Sequence, residues 1–337
     1  MRARDYIPAL RFGARIYPDD LATPLTFGRY WYVDGDNGVD NDNSGQSIEK
    51  AKLTIQAAVT ATDAGDVIFV KTLAMSTGAL DPVSYDETII IPPDKDRLSL
   101  IGVGTGRTQG GLPQIKIGAG STAMLTVRAP GCYISNLGFN GASSTGGGIL
   151  LDDDGSTKTA FGTTIEGCHI KNCAGATSAD TGGGIMWAAT GGAWQSRIQN
   201  CSFFRCMGGV VLMGTTGSRP ADVVIEDSIF YTNDTALVDC DVYLMGGSGV
   251  DGLLINRCVF ASRTVPAYAG TSRYLKLTGC SDGLISNSVV NCLGNVTATE
   301  LTWGTAGTGG FIPTGVGIAN CYGVSTTAGE TGEINNL

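Results

Sequence analysis

Short apolar segments recur along the chain from about residue 95 onward, each bounded by Gly, Asn, Asp or Ser. CYISNLGF, TTIEGCHI, SRIQNCSF, VVIEDSIF, LLINRCVF, GLISNSVV and VGIANCYG share one theme. Their anchors, Ile134, Ile165, Ile198, Ile225, Ile255, Ile285 and Ile318, are separated by 31, 33, 27, 30, 30 and 33 positions, and Ile101 extends the series by 33. A second strand theme alternates with the first as GGGILL, GGGIMW, GGVVLM, DVYLMG and RYLKLTG. No 3.6-residue stripe fits these segments. Short strands at a period near 30 predict an all-β fold, a parallel solenoid whose coils stack ~4.8 Å apart with like residues over like residues.

The columns of the alignment assign faces. Three residues after each Ile come Leu137, Cys168, Cys201, Ser228, Cys258, Ser288 and Cys321, and five after come Phe139, Ile170, Phe203, Phe230, Phe260, Val290 and Gly323. Both columns are expected to face the core, with the cysteines as free thiols that pack as small hydrophobes. Cys173 and Cys206, eight residues after their Ile, are expected to leave it. Four residues after each Ile lies an outward column, Gly138, His169, Ser202, Ile229, Val259, Val289 and Tyr322, followed at six by Phe204 and Tyr231. This face turns apolar in the later coils, so Phe204, Ile229, Tyr231, Val259, Val289 and Tyr322 are candidates for self-association, against cover by a loop. His169 is expected to be a surface imidazole.

Upstream, Tyr30 to Val33 reads as a strand, Asp34 to Gln46 as an Asp/Asn-rich loop, Lys52 to Thr62 as an amphipathic helix and Val67 to Val70 as the first buried strand. A helix over the first coil would cap an otherwise open sheet edge. Asp34, Asp36, Asp40 and Asp42 offer the oxygen ligands that calcium takes, although Asx turns account for the same composition. Otherwise no cofactor is expected. The expected organisation is an extended arm over 1–28, cap strand, loop and helix over 29–72, a β-helix over 73–322 and a tail over 323–337.

Charge and composition narrow the function. The chain of 337 residues carries a net charge of −9, yet residues 1–29 hold five Arg against three Asp. An acidic body argues against nucleic-acid binding. In the arm, Arg2, Arg4, Arg11, Arg15, Phe12 and Tyr17 are the candidate partner-binding residues. No apolar run approaches a membrane span, and the first residues show no secretory signal. One histidine and no C-x-x-C pair leave zinc-ligand spacing unmet. Carboxylates at 152–154, at 239 and 241, and at 226–227 are the candidate acids, and Trp187, Trp194 and Trp303 the candidate sugar-stacking rings.

YVDGDNG, TIQAAVTA and GDVIFV, followed by YDETIIIPPDKDRLSLIGVG, resemble the opening of the pectate-lyase-like, right-handed parallel β-helix family. The resemblance runs from about Tyr30 to Tyr322. It implies a right-handed β-helix with a capping helix, and one of two functions. The first is a structural phage virion surface protein: a capsid decoration, head fibre or tailspike-like component. It would assemble in the host cytoplasm as a homotrimer, dock on other virion proteins through the arm and adhere to host glycans. The second is a polysaccharide lyase or glycoside hydrolase. The family's hydrolases carry a Gly-His-Gly, which this chain lacks. The expectation is therefore the virion protein, not an enzyme, with no nucleic-acid or membrane partner.

Overall fold

The computed structural model describes residues 28–75, 82–104, 106, 111–118, 122–142, 146–155, 158–173, 183–187, 193–206, 208–213, 220–232, 240–245, 250–262, 274–277, 280–292, 315–325 and 331–334. Among these residues, three sheets of ten, ten and seven strands wrap one core. Each coil visits them in turn, as in Thr164–Glu166, His169–Lys171 and Gly183–Trp187. We call these the first, second and third sheets. Every coil-to-coil pairing is parallel, so the solenoid read from the period is the observed fold.

The isoleucine column of the first sheet pairs in register from Ile134 to Ile318. From Ile134 through Ile285 these side chains are fully buried. One step upstream the expected register is off by one. Leu100, not Ile101, pairs with Ile134, and Ile101 pairs with Ser135 on the outer side. A one-residue shift inverts every face of a strand, and burial of Leu98 and Leu100 selects this register.

The corner between the first and second sheets is made by one residue with left-handed φ. Asn136, Asn200, Asp227, Arg257, Asn287 and Asn320 hold φ of 51–55°, with Gly167 at 63° in the same column. Asn and Asp tolerate this region; Arg257 does so with its guanidinium fixed on Asp227 by two hydrogen bonds of 2.7 Å. The next residue turns inward. Cys168, Cys201, Cys258 and Cys321 each donate a weak S–H contact to the isoleucine carbonyl of the preceding coil, at 3.6–3.9 Å. Ser228 and Ser288 instead accept from the amides of Cys201 and Cys258. The eight cysteines whose side chains are described are free and buried. These include Cys173 and Cys206, which stay in the core instead of leaving it. They follow a second left-handed corner, at Asn172 and Arg205, that points them back inward.

The second sheet buries a stack of parallel rings. Phe203 and Phe230 lie 4.7 Å apart at 6°, and Phe230 and Phe260 4.9 Å apart at 8°. The third sheet makes room for them. A Cβ on Gly209 would lie 2.7 Å from the Phe230 ring. Several glycines of the GGG segments therefore sit inside strands, where ring edges replace their missing side chains, and not only in turns.

The cap helix is shorter than the sequence pattern predicts, spanning Ile55–Ala61. Lys52 bridges to Val33, and Thr54 caps the helix by accepting from the Ala57 amide at 3.2 Å. Leu53 therefore lies before the helix and is exposed. Ile55, Ala58 and Val59 are fully buried over the first coil. At the other end, Thr331–Ile334 adds an antiparallel strand to Cys321–Ser325.

Candidate functional site

The outer side of the second sheet changes character along the rod. Its register aligns Gln114, Gly138, His169, Ser202, Ile229, Val259, Val289 and Tyr322 in one column. Ile229 is 44% and Tyr322 51% exposed, with Val259 and Val289 half-buried between them. Beside this column Phe204 stacks on Tyr231 at 5.5 Å and 12°, both half-buried. The structure thus brings all six predicted self-association residues onto one sheet face. His169 departs from expectation, being only 5% exposed. Its Nδ1 lies 2.7 Å from the Ser202 hydroxyl, and the Gln114 side chain fills the space over Gly138, its neighbour in the column. Strand alternation fixes which way a side chain points, whereas exposure depends on what lies over the sheet.

The carboxylates singled out in the sequence are committed elsewhere. Glu226 receives Arg197 and Arg257, each at 3.2 Å, while Arg257 also clamps Asp227. That clamp holds the Asp227 carboxyl below the usual range. Asp152 is paired with Arg128 at 2.9 Å. Asp153 accepts from the Gly155 amide and Asp154 from the Lys158 amide. Asp241 is buried beneath the third sheet, where burial first, and the neighbouring Cys206 second, push its carboxyl well above the usual range. One of its oxygens has no hydrogen-bond partner among the described residues. Position 239 lies outside them. The arrangement on the first sheet is an arginine–carboxylate ladder, suited to cross-linking coils at the surface.

The four loop aspartates are not brought to one point. Asp34 and Asp36 share Lys71, at 2.7 and 3.6 Å. Burial raises the Asp34 carboxyl, but the Lys71 ammonium and the Asp36 and Asn37 donors outweigh it and leave the group below its ordinary value. Asp40 turns to the helix start, accepting from the Leu53 and Thr54 amides and the Thr54 hydroxyl. Asp42 is exposed. Among the described residues no three His, Cys, Asp or Glu side chains converge as a metal cluster.

Of the aromatic candidates, Trp187 belongs to a buried strand, Trp194 is half exposed in a turn, and position 303 lies outside the described residues. The arm residues Arg2, Arg4, Arg11, Arg15, Phe12 and Tyr17 also lie outside them. Sequence reasoning missed the left-handed corner. Its signal is the Asn/Asp/Gly column two residues after each Ile, broken only by Arg257.

No family model and no curated protein matches the chain. Solved structures do. A pectin methylesterase from Aspergillus niger aligns at 12% identity over 88% of this chain and 86% of that one, with a TM-score of 0.47. The pectate lyase Pel9A aligns at 13% over 91% and 79%, also at 0.47. A protein of Geobacillus virus E2, ORF18, aligns at 12% over 89% of this chain and 62% of that one, at 0.41. These likenesses concern the fold alone.

Proposed function

We propose that this chain is a structural component of a phage virion surface, a capsid decoration, head fibre or tailspike-like rod assembled in the host cytoplasm. In this reading the N-terminal arm docks on other virion proteins, and three rods associate laterally through the second sheet. The observation that carries it is the outward column Ile229, Val259, Val289 and Tyr322, apolar over successive coils. A ladder of exposed apolar side chains is stabilised by burial against another copy. The alternative is a polysaccharide lyase or glycoside hydrolase. It is favoured by the surface cluster of Arg197, Glu226, Arg257 and Asp227, whose cations and carboxylates lie along one sheet.

The full-length chain tests both. Mass in solution should be three times the monomer, and a double substitution, Ile229→Asp with Tyr322→Asp, should give monomers of unchanged circular dichroism. A wild-type monomer would remove the association. Incubation with polygalacturonate, pectin and alginate should release neither unsaturated products nor reducing ends. Turnover that is lost in Arg257→Ala would replace the virion reading with the enzyme.

A further inference from the structure

The turn that leads from the third sheet back to the first is the same two-residue corner in successive coils. Gly131 donates to the Phe161 carbonyl at 2.7 Å, Gly162 to the Trp194 carbonyl at 2.8 Å and Gln195 to the Ala221 carbonyl at 2.8 Å. Phe161 and Trp194 therefore occupy equivalent tips one coil apart, a separation of about 4.8 Å along the axis. They are 40% and 50% exposed, and no ring contact is formed between them. Aromatic residues of this size usually bury their rings, so two adjacent exposed ones need a reason.

The tips are held rigidly from below. The Thr163 hydroxyl donates to the Ala160 carbonyl at 2.8 Å, locking the Phe161 turn. In the next coil the Ser196 hydroxyl at 3.0 Å and the buried Trp187 indole at 3.2 Å both donate to the Ala193 carbonyl, locking the Trp194 turn. A ligand meeting these rings would order little that is not already ordered. Beside them the exposed side chains of Gln195 and Asp222 make no hydrogen bond among the described residues.

We propose that the ridge formed by Phe161 and Trp194 binds a neutral glycan chain lying along the rod. Pyranose rings present C–H faces that stack on aromatic side chains, and their hydroxyls donate to an amide or carboxylate at the ring edge, here Gln195 and Asp222. The charge around the ridge selects the class of glycan. Past Trp194 the same turns carry Asp222, Asp251 and Asp282, all exposed, on a chain of net charge −9, while the exposed Arg97 holds the equivalent corner two coils to the other side of Gly162. A polyuronate would be repelled there, whereas an uncharged glycan would not. The site needs no assumption about where the rod is mounted.

The test uses the full-length chain on an array of neutral and anionic glycans, followed by calorimetry with the best neutral oligosaccharide. Trp194→Ala and Phe161→Ala should each weaken binding by about tenfold or more, a stacked ring being worth on the order of 1.4 kcal/mol. Both positions are turn tips, so unchanged melting of the variants shows that the fold is kept. Ser281→Ala, on the same turn three coils away, should bind as wild type. Retention of anionic glycans only, retention of none, or affinity equal to wild type in both aromatic variants would overturn the proposal.

Discussion

Phe230 gives the most direct reading of whether the inner columns carry the stability of this fold. Its side chain is fully buried, with Phe203 at 4.7 Å on one side and Phe260 at 4.9 Å on the other. On the facing sheet Gly209 has no side chain to move into the space a smaller residue would leave. Phe230→Ala should therefore leave a cavity that cannot collapse, at the upper part of the ~3–5 kcal/mol range for such changes. The two lost ring contacts, each ~0.5–1.5 kcal/mol beyond area burial, point the same way. At roughly 2–4 °C per kcal/mol for chains of this order, the midpoint should fall by roughly 8–20 °C. Phe230→Leu keeps most of the apolar volume and should cost under about 2 kcal/mol. Thermal and urea melts by circular dichroism and by fluorescence would be compared first, because stacked coils can unfold in parts. A loss within about 1 kcal/mol of wild type in Phe230→Ala would mean that the ring is not enclosed, and the column assignment would fail.

Two further outcomes follow from buried titratable groups. Burial raises the Asp241 carboxyl, so above its ordinary value of ~3.9 the unfolded chain gives up a proton that the folded chain keeps, and wild-type stability falls as pH rises from there toward the raised value. Asp241→Asn should therefore be more stable than wild type at pH 7, with the gain shrinking toward pH 4; equal urea midpoints at pH 7 would contradict this. The eight described thiols should resist an aromatic disulfide reagent at pH 8 until denaturant is added, since burial pushes Cys132 and Cys258 up to about 12. Peptide mapping that finds any of them labelled in the native protein would place that coil's corner at the surface.

The sequence by itself determines the solenoid. A strand has a side-chain period of two, and a coil that must return to the same sheet imposes a period of its own. Both are visible as columns without coordinates, and the pairing from Ile134 to Ile318 follows the alignment residue for residue. The third sheet was legible only as a theme, because connections of varying length separate it from the second. What sits over an outward column was not legible at all. His169 and Ile229 occupy the same column, and one is buried while the other is exposed. Nor could the alignment show that Ile101 lies outside and Leu100 inside, since both choices satisfy an apolar pattern and only packing against Ile68 and Ile134 separates them. The acidic residues teach the same lesson. Composition locates Asp40, Asp227 and Asp241, but only the tertiary structure makes one a helix brace, one an arginine clamp and one a buried acid. Periodicity is a local property carried by every coil, whereas the environment of a side chain is set by residues a full coil or more away.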